Sequence, residues 1–196
     1  MLNRRTMIGG LIAATATASA AAVPQRYALY PDASTITFKF TTNGAIQTGT
    51  VPVQTADIRI DPRNLERSSA DVTADIRNVR TGLLFMTQAI KSSDLLDAAN
   101  HPLVRFKSTQ VRLGARGRIS EGAEIDGDLT LRGVTRPITF NANLSRPAGS
   151  APDDLSTLYV QLSGSLSRMA YGATGFRNLA DDQVVLDIRA EIRSDA

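Results

Sequence analysis

The chain has 196 residues, with 22 Lys or Arg against 19 Asp or Glu, a formal charge of +3, one His, no Cys and no Trp. The lack of Cys excludes thiol chemistry, disulfides and Cys-ligated metals. No Lys/Arg cluster is interleaved with aromatics, so nothing in the charge pattern points to a nucleic-acid partner.

Residues 1–20 are expected to be an export signal. Arg4 and Arg5 make a charged start, Met7 to Val23 is weakly apolar and rich in Ala, Gly and Thr, and Ala18-Ser19-Ala20 is a small-residue cleavage site. The run Asn3-Arg4-Arg5-Thr6-Met7-Ile8 is similar to a twin-arginine signal, although the usual flanking Ser/Thr and Phe-Leu are missing; an ordinary signal with two basic residues is the alternative. The segment is short and mild for a membrane span. The expected product is a single periplasmic or secreted domain over residues 21–196.

From Tyr27 onward, apolar and polar residues alternate one for one. Strands are expected near 27–30, 35–42, 45–53, 55–61, 69–77, 103–112, 124–132, 136–146, 156–168 and 183–193. Ile36, Phe38 and Phe40 share one parity; so do Val72 and Ala74, Ile138 and Phe140, and Val184, Leu186, Ile188, Ala190 and Ile192. Successive strand side chains point to opposite faces, so each strand has one apolar face to hide. This many half-apolar strands in a short chain define an all-β fold, either two packed sheets or a closed antiparallel barrel of about eight strands. Asn43-Gly44 and Asp61-Pro62-Arg63-Asn64 are turn signals, Gly114 to Gly122 suggests a mobile hairpin tip, and Pro147 to Asp154 is loop-like.

One segment breaks the period of two. Leu83, Met86 and Ile90 lie at helical spacing, with Thr81 as a candidate cap and Ser93 or Asp94 as the start of a second short turn. One or two short helices are therefore expected to close an end of the β structure.

Catalytic constellations are sparse. Asp126 and Asp128 share a strand face, but Ile125, Gly127, Leu129 and Leu131 hold the apolar face opposite, so the two carboxylates are expected to face water. His101 is alone and sits in a turn before Leu103 to Lys107. Gly164-Ser-Leu-Ser-Arg168 belongs to an alternating strand rather than a nucleophile elbow. The apolar set is richer. Phe38, Phe40, Val72, Phe106, Leu129, Leu131, Phe140, Leu158 and Val160, with Leu84, Phe85, Met86 and Ile90 from the helical segment, are candidates to line an interior. Alternation alone leaves open whether that interior is filled or hollow.

An ordered set of motifs adds to this. Gly127-Asp-Leu-Thr-Leu-Arg-Gly-Val-Thr-Arg-Pro-Ile138 resembles the pattern G-x-L-T-x-x-G-V-T-x-P-V of the YceI-like polyisoprenoid-binding family. Arg80-Thr81-Gly82 with Ile90-Lys91-Ser92-Ser93-Asp94-Leu95-Leu96-Asp97 resembles that family's helical insertion. His101-Pro102-Leu103-Val104-Arg105-Phe106 resembles its Y-P-x-x-x-F, and Ser167-Arg168-Met169-Ala170-Tyr171-Gly172 its late R-x-x-F-G. Tyr27 and Ile36-Thr37-Phe38 also fit. The chain departs from the pattern at Leu83-Leu84-Phe85-Met86, where many relatives carry charged residues and His, and in its short loop at Asn43-Gly44.

The resemblance implies an exported, eight-stranded lipocalin-like barrel that holds an isoprenoid lipid, such as a polyprenyl phosphate or a quinone, as carrier, store or scavenger. It implies no catalytic residues, no metal and no cofactor beyond the bound isoprenoid. A tail needs mostly apolar wall, since each buried methylene contributes ~0.8 kcal/mol. A headgroup needs a few polar partners at the mouth, for which Arg80, Lys91 and Arg168 are candidates. No nucleic acid and no stable membrane span are expected; transient membrane contact and a homodimer stay open. The competing functions are a non-catalytic interaction or stress-protection scaffold and a carboxylate-dependent hydrolase.

Overall fold

The alternating stretches become strands that close on themselves. The structure, a computed structural model, describes residues 24–114, 122–151 and 153–195; the expected export signal and most of the Gly114–Gly122 tip lie outside them. In chain order the strands are β1 (Gln25–Thr42), β2 (Ala45–Val51), β3 (Val53–Ile60), β4 (Ser69–Asp75), β5 (Arg80–Thr81), β6 (Leu103–Leu113), β7 (Ala123–Leu131), β8 (Val134–Ser145), β9 (Thr157–Ser167) and β10 (Ala180–Ser194), with one helix, α1 (Leu84–Lys91), between β5 and β6.

The order around the wall is β1, β2 with β3, β4, β6, β7, β8, β9 and β10, and β10 returns to β1 from Tyr27–Ser194 to Thr42–Ala180. Because β2 and β3 act as one strand broken at Pro52, this is a closed eight-stranded antiparallel barrel, with β5 as a two-residue appendage on β2. Closure removes the exposed edges that an open sheet would present.

Local chemistry explains the connections. Asn43 and Gly44 both have positive φ (49° and 76°), as do Arg132 and Gly133 (52° and 73°), the signature of the two-residue I′ turns that suit strand twist. The 27–30 and 35–42 strands are one element, because β10 pairs along both; the register slips between Tyr30 and Thr35, where Pro31 sits, and again between Phe40 and Thr42. The break expected near Gln54 falls at Pro52, which has no N–H to give a ladder. β4 stops at Asp75 rather than 77, because the Asp75 carboxylate accepts from the Arg77 backbone N–H at 2.9 Å and turns the chain into a 3₁₀ turn over Ile76–Asn78.

The helical segment also differs from expectation. Thr81 does not cap α1; its hydroxyl donates to the Leu83 carbonyl at 2.8 Å. No second helix forms after Ser92. Asp97 adopts positive φ (51°) and its N–H returns to the Ser92 carbonyl at 2.8 Å, which ends helical propagation.

One stretch of wall lacks a ladder. β1 pairs with β3 only from Gln25 to Tyr27 and with β2 only from Ile36 to Thr42. Between these, 28–35 and 52–57 face each other with no backbone pairing among the described residues.

Candidate functional site

The inward parity of every wall strand converges on a cavity of about 350 Å³, within the usual range for small-molecule sites. All five inward residues of β10, from Val184 to Ile192, line it, about 27 Å of strand at the antiparallel rise. Phe38 and Phe40 from β1, Val72 from β4, Phe106 from β6, Leu129 and Leu131 from β7, Phe140 from β8 and Val160 from β9 line it too, and Ile90 reaches it from α1. The polar residues on its boundary, such as Arg59, Ser69 and Arg189, alternate with inward Ile58, Ala70 and Ile188 and sit mostly toward the end where β3 meets β4.

Three glycines explain why the aromatic rings leave space. Gly49, Gly127 and Gly164 occupy inward positions on β2, β7 and β9, and a β-carbon at each would collide with the ring of Phe38, Phe106 or Phe140 respectively. Each ring lies in the room its glycine vacates on the neighbouring strand, so it lies along the wall instead of crossing the lumen. Phe106 and Phe140 then meet edge to face at 5.1 Å, and Phe38 stacks on Phe40 at 5.9 Å. Parity placed Gly127 on the apolar face; its missing side chain was the available signal for a hollow interior.

The two ends are closed differently. At one, Tyr27, Ile60, Leu158 and Ile192 form a buried cluster with Leu65 and Leu155, and the Tyr27 hydroxyl donates to the Leu155 carbonyl at 2.9 Å. Burial pushes the Tyr27 and Tyr171 phenols above the ordinary tyrosine value. Leu158 thus belongs to a solid plug rather than to the cavity wall. At the other end, Ile90 of α1, Leu95 and Leu96 after it, and Arg168, Ala173 and Ala180 reach the cavity boundary, and the Gly175 N–H donates to the Asp94 carbonyl at 2.8 Å.

Arg168 organises that second end. It is buried, and its guanidinium donates to the carbonyls of Asp181 (2.8 Å), Ala173 (2.6 Å), Gly175 (2.7 Å) and Ala180 (2.8 Å). It fastens the segment after β9 to the start of β10, so it is neither a surface residue nor a free headgroup partner. Asp182 braces the same corner: its carboxylate accepts from the Ser167 hydroxyl and the Met169 N–H, both at 2.9 Å, and these bonds hold its pKa below the ordinary carboxylate value.

The remaining sequence candidates lie elsewhere. Leu84 and Phe85 project into solvent, Met86 is half-buried, and none of the three lines the cavity, because α1 turns Thr87 and Ile90 inward instead. Arg80 is exposed on β5 and Lys91 half-buried at the end of α1; both lie off the cavity boundary. Asp126 is on the outer wall, where Arg112 pairs with it at 2.6 Å and the Thr139 hydroxyl donates to it at 2.6 Å; Asp128 is exposed beside it. His101 stands against Gly133 at the β7–β8 turn. Among the described residues, no group of three or more His, Asp or Glu is arranged to hold a metal, and no helix is long and apolar enough to cross a membrane.

A closed antiparallel barrel wrapped around an apolar cavity and roofed by one helix defines a lipocalin-like binding barrel in architecture. The YceI-like domain model matches residues 27–192, and the chain belongs to that family. UPF0312 proteins are similar over a shorter stretch: one from Vibrio cholerae is 38% identical over 82 residues, covering 42% of this chain and 41% of the relative. Another, from Pseudomonas aeruginosa, is 34% identical over 84 residues, covering 43% and 41%. The match thus spans about two fifths of these curated relatives. Solved structures share the fold. BcnA of Burkholderia cenocepacia has a TM-score of 0.72 at 16% identity, covering 84% of this chain and 99% of that one. A polyisoprenoid binding domain from Saccharophagus degradans has 0.63 at 17%, covering 87% and 99%, and the Campylobacter jejuni YCEI protein has 0.58 at 19%, covering 97% and 94%.

Proposed function

We propose that this protein is an exported, non-catalytic binder of a long isoprenoid chain, such as a polyprenyl phosphate or a quinone, which it carries, stores or scavenges. One observation carries the reading: the barrel interior is a lumen of about 350 Å³ whose wall is aliphatic and aromatic for the length of β10. Such a wall recognises a ligand by methylene and methyl groups, each contributing ~0.8 kcal/mol when buried, and offers few directional contacts to a compact polar substrate. Support also comes from the family and from the likeness in fold to the polyisoprenoid binding domain of Saccharophagus degradans.

The tail occupies the space bounded by Phe38, Phe106 and Phe140. Any anionic headgroup stays outside, toward Arg80 and Lys91 beyond the α1 end. Residues 1–20 direct the chain to the periplasm or beyond. The test is mass spectrometry of an organic extract of protein purified from its native host. An isoprenoid recovered stoichiometrically, and lost in Phe106→Trp but not in Thr139→Trp on the outer wall, supports the function. Repeatedly clean extracts overturn it in favour of an interaction scaffold.

A further inference from the structure

We infer that the α1 end of the barrel docks on the surface of an anionic phospholipid bilayer. Ile46, Leu84 and Phe85 are large apolar residues left 75%, 77% and 69% exposed, and Leu83, Phe176 and Leu179 are more than two fifths exposed. They form one patch around the β1–β2 hairpin. On one flank, Gly49 and Thr50 pair with Thr81 and Arg80, which leads straight through Gly82 into Leu83 and α1. On the other flank, the Asn43 N–H donates to the Leu179 carbonyl at 2.9 Å, which brings Phe176 to Leu179 beside the hairpin. A contiguous exposed apolar patch of this kind on a soluble domain marks a contact surface.

The charge pattern selects the occupant. The three segments that build the patch, 41–50, 80–91 and 174–180, contain Arg80, Lys91 and Arg177 and no Asp or Glu. The rest of their polar content is Thr, Asn, Gln and Gly. Apolar side chains with Arg80, Lys91 and Arg177 among them, and with acids only at the border, where Asp94 packs on Gly175 and Asp181 follows Ala180, suit the boundary between headgroups and acyl chains of an anionic leaflet. Continuity with the lumen points the same way. α1 carries Leu84 and Phe85 on its outer side and sends Ile90 to the cavity boundary, so one turn and a half of helix separates bilayer from interior. The use of this contact to pass a lipid tail rests on the function proposed above; the docking itself does not.

The chain has no Trp, so a single introduced Trp reports its own position. The full chain carrying Phe85→Trp, with Leu84→Trp as a second probe, is mixed with phosphatidylglycerol/phosphatidylethanolamine vesicles whose acyl chains are brominated, and compared with Gln161→Trp on the outer wall of β9. Docking predicts a blue-shifted, bromine-quenched emission for the α1 probes, no change for Gln161→Trp, and weaker effects on phosphatidylcholine vesicles. Arg80→Gln with Arg177→Gln weakens vesicle partitioning about 30-fold, at ~1 kcal/mol for each cation. The proposal is overturned if both α1 probes stay solvent-like on vesicles while the protein co-sediments, which would assign binding to another segment, or if it fails to co-sediment. It is also overturned if their emission shifts with protein concentration alone and sedimentation equilibrium shows a dimer, which would assign the patch to a second copy. Ligand extraction is unaffected by either failure, so docking and lipid carriage are judged separately.

Discussion

The Phe106 ring lies over the α-carbon of Gly127 on the next strand, in the space where any other residue would place its β-carbon. Gly127→Val therefore forces the ring off the wall and into the lumen. Overpacking of this type costs ~1–3 kcal/mol. Urea denaturation should show that loss, and the purified variant should retain less apolar ligand than wild type, because the displaced ring fills the space the tail would use. A Gly127 variant with normal stability and normal ligand content would show that the lumen does not depend on this pair.

Leu158 and Leu162 lie on the same face of β9, but one is plug and the other is cavity wall. Leu158 is 2% exposed and packed on all sides. Truncation there should fall at the upper part of the ~2–5 kcal/mol range for buried Leu→Ala. Leu162→Ala should cost less, since that side chain already lacks neighbours on its lumen side. Adding an isoprenoid should stabilise the wild type and the Leu162 variant, measured as a rise in Tm.

Replacing Arg168 by Met keeps the length of the side chain and removes every donor. Four carbonyls around the β9–β10 corner then lose a charged partner in a buried setting. Bonds to a charged donor contribute ~1.5–3 kcal/mol each, and not additively, so a loss of ~3 kcal/mol or more is expected in chemical denaturation. Arg168→Lys should recover only part of it, because one ammonium cannot reach all four acceptors.

The Arg77 side chain, by hydrogen bonding, holds the Asp75 carboxyl below its ordinary value of 3.8, and the Ser167 hydroxyl does the same for Asp182. In the unfolded chain both protonate nearer the ordinary value, so the unfolded state binds more protons as the medium turns acid. Their contribution is complete above about pH 4 and disappears as pH falls through the folded values. Asp182→Asn should weaken the protein at pH 7 and flatten its loss of stability in acid, as followed by urea titration between pH 2 and pH 7.

Much of the wall was legible because its cause is local. The parity of Ile36, Phe38 and Phe40 opposite Val184, Leu186 and Ile188 is printed in the sequence and reappears as inward faces of paired strands. The orientation of α1 was not legible. Helical spacing marks Leu83, Met86 and Ile90 as a stripe, but the inward side also carries Thr87, whose hydroxyl is hydrogen-bonded to Thr81 of β5, a strand two residues long and without periodicity. Arg168 was opaque for another reason: its partners are backbone carbonyls, which carry no residue identity.

The lapse in the β1 ladder between Tyr27 and Ile36 has a mechanical consequence. Elsewhere, widening the tube means rupturing a row of interstrand bonds. Along 28–35 and 52–57 no such row exists, so this stretch works as an expansion joint that yields sideways while β10 keeps β1 attached. Girth then becomes adjustable at this stretch without breaking a ladder. Amide hydrogen exchange should be fastest at this joint in the empty barrel and slow when the interior is occupied.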